Sequence, residues 1–401
     1  ELYPQVYITS DLFWFGVEGN LASWQRFGNW INELNSGMSD LPNSERFIIK
    51  EKVKGIDNEL DQIKTIYTYL QESTRYINIS IDEGGLKTYP ASYVVKNRYG
   101  DCKALTNYMK SALEVVGISS FYTLVNAGSV IEKISVDFPG QHFNHVILAV
   151  PVKTDTLWLD CTSDYAFNYL GTFTQNRHVL LTNGMNSKIL KTPALKKEDV
   201  LVDRTIEYRT IQDKTVLTES ISAKGNMYEA FSSISSNYNP KQVKEIIEDH
   251  FLFSSFSLDS FKITTTESDS IFLKLYQSSE SFNKHFGNEI MWEINPLTLP
   301  NLEKPIKRQY PIRINYPRYW KENHTFLLPT QKEATFIPEN QKIASKFGEY
   351  TIEFENHHDK IIVKRMFFLK GGEYELQEYP EFYTFMMDVI NRDNQNKILI
   401  K

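Results

Sequence analysis

Residues 97–117 read "NRYGDCKALTNYMKSALEVVG". Leu105, Met109, Ala112, Leu113 and Val116 recur at helical spacing, and Gly117 follows as a stop. Asp101 sits where an N-cap belongs, so the spacing predicts a helix over about 101–116. Cys102 then falls in the first turn. There the backbone N–H groups lack intrahelical partners and the helix dipole is positive. A thiol in such a setting ionises more readily, and the adjacent N–H groups can hold an oxyanion. Asp101 would carry a negative charge beside it and oppose the thiolate, so a base elsewhere must supply much of the activation.

A nucleophilic cysteine needs that base, usually His, and a group to orient it. His145 lies in "FNHVILAV" (143–150), a strand otherwise apolar, where a buried imidazole calls for a partner. Asp160 ends the next apolar run, "TLWLDC" (156–161). If the two strands are neighbours, the carboxylate reaches the imidazole. Each residue also has a plainer reading. A strand His is often a satisfied core group, a strand-end Asp a turn former, and a helix-start Cys inert and buried. On pattern alone the two readings stand level. Only one other cysteine exists, Cys161. Strand alternation puts it on the face opposite Asp160, which disfavours a disulfide with Cys102. His142, in the polar turn "PGQH", is a rival base. The histidines are scattered, and no spacing suggests a zinc or calcium site, so no metal or cofactor is expected.

Moving outward, 401 residues suggest two or three domains, or one large domain with an appendage. Composition is that of a soluble globular chain, 41 % hydrophobic and 23 % charged. Its 23 Tyr and 25 Phe fit a large β component. The net charge of -6 forms no basic stripe, so nucleic acid is not an expected partner. No apolar run reaches the roughly 18 residues of a membrane span. Residues 1–18 read as a strand-like stub. Trp24, Phe27, Ile31 and Leu34 mark a helix. Leu60, Ile63, Tyr67 and Leu70 mark another, with Asp57 as its cap. Residues 76–100 hold a loop with Gly84, Gly85 and Pro90, then a helical turn. Strands at 119–127, 143–150 and 156–161 follow, and the connection 128–142, long for a hairpin, is a candidate cover for a site. From 196 the pattern turns β-rich, with a hairpin across Gln212-Asp213-Lys214. Helices are expected near 226–235, 239–252 and 380–391, and a last strand at "KILIK".

Three motifs carry a resemblance. "PASYVVKNRYGDCKALTNYMKSALEVVGI", "FNHVILAV" and "LWLDCT" together resemble the transglutaminase-like superfamily of papain-type cysteine enzymes. The resemblance is to bacterial members whose core is flanked by β-rich domains of unknown function. It covers about residues 20–190, and "GEYELQEYPEFYTFMMDVI" resembles the tail of the same proteins. It implies an α+β fold: a helix N-terminus carrying Cys102, packed on an antiparallel sheet carrying His145 and Asp160. A core at 19–195 would precede a β-rich domain at 196–401. The implied activity is acyl transfer from amide or peptide bonds through a thioester, protease or amidase rather than cross-linking. The alternative is a silent binding scaffold. Tyr76 and Tyr89 are candidate oxyanion donors. The implied partner is a peptide or protein substrate, cell-wall peptide among them, and the implied location periplasmic or extracellular. Three departures stand out. Cys161 replaces the usual Pro, Ala104 a frequent acid, and the large N-terminal domain is missing, so the stub reads as the end of something cut off.

Overall fold

The computed structural model describes residues 6, 8–78, 85–153, 155–212, 214–253, 255–266 and 268–401. Most of the alternating stretch at the N-terminus, and Gly84 of the loop, lie outside them. The described Val6 and Ile8 are exposed. The chain divides into two units, Glu1–Ala194 and Leu195–Lys401.

The first unit opens with a hairpin of β1 (Leu12–Phe15) and β2 (Val17–Asn20), turned at Gly16. The apolar run at the N-terminus therefore has a partner. Phe13 and Phe15 also set their rings edge-on to Trp30 of α1 (Trp24–Leu34). α2 (Asn43–Lys52) buries only Glu45 and Ile49, and α3 (Glu59–Ser73) buries Ile63, Ile66, Tyr67 and Leu70. The cap of α3 is Asn58 rather than Asp57, since the Asn58 side chain accepts the Leu60 amide. Leu60 is exposed and outside the buried stripe.

β3 (Arg75–Tyr76) pairs in parallel with β4 (Tyr99–Gly100), which follows α4 (Ala91–Asn97). α5 (Cys102–Val115) begins at Asp101, whose side chain accepts the Ala104 amide at 2.9 Å. Eleven of its residues, Cys102–Met109 and Ser111–Leu113, are buried. Each fully buried Leu or Met contributes about 1.5–3 kcal/mol, so α5 is held by packing on all sides. β5 (Phe121–Val125), β6 (His145–Val152), β7 (Asp155–Leu159), the short α6 (Gly171–Thr174), β8 (His178–Leu181) and β9 (Lys188–Lys191) complete the unit. The five strands form one antiparallel sheet, ordered β7-β6-β5-β8-β9. Leu148, Val150, Leu159 and Cys161 pack into the core of α2 to α5. Ile147, Ala149, Trp158 and Val179 join a separate cluster, as alternation requires.

The second unit is β-rich. β10 (Leu201–Ile211) and β11 (Lys214–Ala223) form a hairpin; α7 (Asn226–Asn237), α8 (Pro240–His250), β12 (Ser257–Thr265) and β13 (Ile271–Ser279) follow. Then come β14 (Lys284–Phe286), β15 (Glu289–Glu293), β16 (Ile312–Ile314), β17 (Arg318–Leu327), β18 (Ala334–Phe336), β19 (Gln341–Ser345), β20 (Gly348–Asn356), β21 (Lys360–Leu369) and β22 (Gly372–Tyr374). α9 (Tyr379–Asp393) and β23 (Lys397–Ile400) close the chain. The main sheet runs β12-β13-β11-β10-β17-β21-β20-β19. Its one parallel contact among the described pairings is β10 with β17. Phe382, Phe385, Met386 and Val389 of α9 share a core with Tyr208, Phe326 and Phe367. Helices and largely antiparallel sheets keep to separate segments, so the class is α+β. Among the described residues no helix is long and apolar enough to cross a membrane.

Candidate active site

The strand register brings His145 and Asp160 together. Leu148 pairs with Leu159, so Asp160, one residue past β7, comes level with Ile147 and diagonal to His145. His145 opens β6, and its Nε2 lies 3.0 Å from Asp160 Oδ2. The other carboxylate oxygen accepts the Thr162 amide at 3.0 Å and the Thr162 hydroxyl at 2.7 Å. The Tyr67 hydroxyl donates to the Asp160 carbonyl at 2.8 Å. Asp160 is thus fixed on both its side chain and its backbone.

The Cys102 sulfur lies near enough to the same imidazole to favour its charged form. Its residue keeps 9 % of its surface exposed, at the rim of a cluster with Tyr122, Leu124, Val146 and Leu180. Burial disfavours a charged imidazole here. The Asp160 carboxylate and the Cys102 sulfur outweigh it and push His145 up to about 10. Burial also works against the Asp160 carboxylate. The imidazolium and the Thr162 donors prevail and hold it below the usual range.

Tyr76 lies on β3 beside Gly100, and its hydroxyl feels Cys102, Asp101 and Asp160. Partial burial and these negative groups raise its pKa. Tyr89 goes elsewhere: it stacks on Tyr93 at 4.5 Å and packs against the helical core, away from the cluster that holds Cys102. His142 has a ring 6.2 Å from Trp24 and an Nε2 near the Phe138 carbonyl, so it is half-buried rather than solvated. Cys161 is a free thiol in the helical core, and Cys102 is free as well. Burial and the neighbouring Asp160 push the Cys161 thiol well up.

Three neighbours escape a reading of the sequence. Lys103 is buried, with its Nζ 2.5 Å from Asp101 Oδ2. A lysine in a first helical turn reads as solvated, and nothing in its spacing signals otherwise. Tyr122 carries a buried hydroxyl with no hydrogen-bond partner among the described residues, close enough to Cys102 and Asp101 to feel their charge. Phe173 of α6 sets its ring edge-on to His145, with centroids 6.4 Å apart. Among the described residues no three His, Cys, Asp or Glu side chains converge as a metal-holding group.

One family matches part of the chain. Residues 282–400 match a domain of unknown function with a solved structure (DUF3858), and this match lies wholly within the second unit. No curated protein matches the sequence. Among solved structures, a chain from Parabacteroides distasonis described as a "putative protease" is similar, with a TM-score of 0.56 at 12 % identity. The alignment covers 96 % of this chain and 60 % of that one. At this identity the likeness is one of fold.

Proposed function

We propose that the protein is a cysteine-dependent acyl-transfer enzyme acting on amide or peptide bonds, a peptidase or amidase rather than a cross-linking transglutaminase. The observation that carries this reading is one imidazole that lies 3.0 Å from the Asp160 carboxylate and near enough to the Cys102 sulfur to feel its charge. The resemblance of its sequence motifs to the transglutaminase-like superfamily and a fold similar to that of a "putative protease" support it.

In this mechanism the Cys102 proton resides on His145, whose imidazolium is stabilised by Asp160. The thiolate attacks the amide carbonyl, a C–S bond forms, and the carbonyl π electrons move to oxygen. The first-turn amide of Cys102 and the Tyr76 hydroxyl are the donors facing that oxyanion. Collapse breaks the C–N bond, and the amine leaves with the His145 proton. Water then attacks the thioester while His145 accepts its proton, releasing a carboxylic acid and restoring the thiol.

The test is alkylation by iodoacetamide, followed by mass spectrometry across pH. A free thiol with a pKa near 8.5 is only about 0.3 % ionised at pH 6, so an ion-paired Cys102 should react there about tenfold faster than in His145→Ala. The gap should close toward pH 9, as the variant thiol ionises unaided. If Cys102 reacts like a free thiol and His145→Ala leaves its rate unchanged, the enzyme reading fails and the scaffold reading takes its place.

A further inference from the structure

We propose that Phe173 and Val130 form an apolar platform that receives an aromatic or aliphatic side chain on the amine side of the scissile amide. This rests on the reading of Cys102 and His145 as a reacting pair. It adds the class of substrate that they would take.

A lone exposed phenylalanine means little by itself. Phe173 differs in how it is held. Gly171, Thr174, Gln175 and Arg177 around it are buried, while Phe173 keeps 53 % of its surface. The turn is tied down by the Thr174 hydroxyl, which donates to the Leu170 carbonyl, and by the Thr192 hydroxyl, which donates to the Thr174 carbonyl at 2.8 Å. The ring is therefore presented outward by a fixed backbone, steeply inclined to the imidazole at 77°.

The backbone of Val130 is tied to the same turn by a buried cation. Arg177 is 1 % exposed, and its guanidinium donates to the Val130 carbonyl at 2.5 Å and to the Gly128 carbonyl. The Gly128 amide in turn donates to the Phe173 carbonyl at 3.0 Å. One clamp thus joins the start of the 128–142 connection to α6. The Val130 side chain is left 55 % exposed. Phe173 beside the reacting imidazole, and Val130 on the segment clamped to its turn, lose water contact when a substrate side chain covers them. In the proposed chemistry His145 hands its proton to the departing amine, so groups in contact with His145 flank the amine side of the bond.

N-substituted iodoacetamides test this, because their substituent extends from the amide nitrogen. The second-order rates of Cys102 with iodoacetamide, N-phenethyl iodoacetamide and N-(2-ammonioethyl) iodoacetamide are each divided by the rate of the same reagent with glutathione. The normalised phenethyl rate should exceed that of iodoacetamide by about tenfold, as expected from half-burying an aromatic ring. The ammonioethyl reagent should show no gain. Phe173→Ala should bring the phenethyl ratio to about 1 and Phe173→Leu should retain most of it. Equal normalised rates for all three reagents, or a phenethyl preference that survives Phe173→Ala, would overturn the platform. A sluggish reaction with all three reagents that is also insensitive to His145→Ala would instead overturn the underlying enzyme reading. The ratios separate the two failures.

Discussion

His145 bonds an acid and feels a nearby thiol, and the arrangement has a measurable consequence with pH. Its value in the fold, about 10, lies above the ordinary 6.5. A group raised on folding contributes stability in full below its unfolded value and loses it as pH rises through the folded one. The His145 contribution is therefore complete below about pH 6.5 and fades toward pH 10. Asp160 runs the other way: its lowered carboxyl contributes above the ordinary 3.8 and fades as pH falls through the folded value. The thermal midpoint of the native protein should exceed that of His145→Gln most at about pH 5–6, and the margin should shrink steadily toward pH 10. A margin that stays constant from pH 6 to 10 would contradict this assignment. At this scale the contact of His145 with Asp160 is legible, because two apolar strands in succession tend to be neighbours and alternation does the rest. The charge around Cys102 is not. Asp101 alone suggests a carboxylate working against a thiolate, whereas Lys103 sits on that carboxylate and neutralises it. Which of two adjacent polar residues turns inward depends on packing, and no periodicity announces it.

Elements show the same division. α5 is legible because a cap, a stripe and a closing glycine agree. α2 is not: its cap position is Pro42 with no side-chain bond, Phe47 is exposed, and its one buried charge is Glu45. That glutamate accepts from Tyr69 at 2.9 Å and Tyr108 at 2.5 Å and lies 3.4 Å from Arg98. It ties α2 to α3, α5 and the segment leading into Cys102. A second buried network ties the strands of the other unit. Glu322 on β17 accepts from Arg204 on β10 at 3.1 Å, from Arg365 on β21 at 2.9 Å, and pairs with His324 at 3.2 Å. Arg365 also donates to Asp393 at the end of α9 at 2.8 Å. Removing Glu322 takes one carboxylate from two buried arginines, leaving Arg365 with Asp393 alone and Arg204 with Glu219 alone. Glu322→Ala should cost about 3–5 kcal/mol, read from the urea midpoint of the second unit. A loss below about 1 kcal/mol would mean that water replaces the carboxylate.

At the scale of the whole molecule, each unit has its own core and its own sheet, and the candidate chemistry resides in the first. The second unit's central contact joins β10 to β17, and Arg204 and Glu322 across it are 118 positions apart. Pairings between near neighbours in sequence close faster than distant ones. Pulse-labelled hydrogen exchange during refolding should therefore show β11, β13 and β20, each in a hairpin with a sequence neighbour, protected before β17, whose partners β10 and β21 lie further off. Simultaneous protection of all four would exclude this order. The same separation matters on the ribosome. Until residue 327 has emerged, β10 is the bare margin of a half-built sheet, open to pairing with another nascent chain. Three of its exposed outward positions, Asp203, Glu207 and Arg209, are charged. In the finished protein they look like ordinary surface residues. During synthesis they act as a guard, keeping the unfinished edge apart from its neighbours until its proper partner arrives.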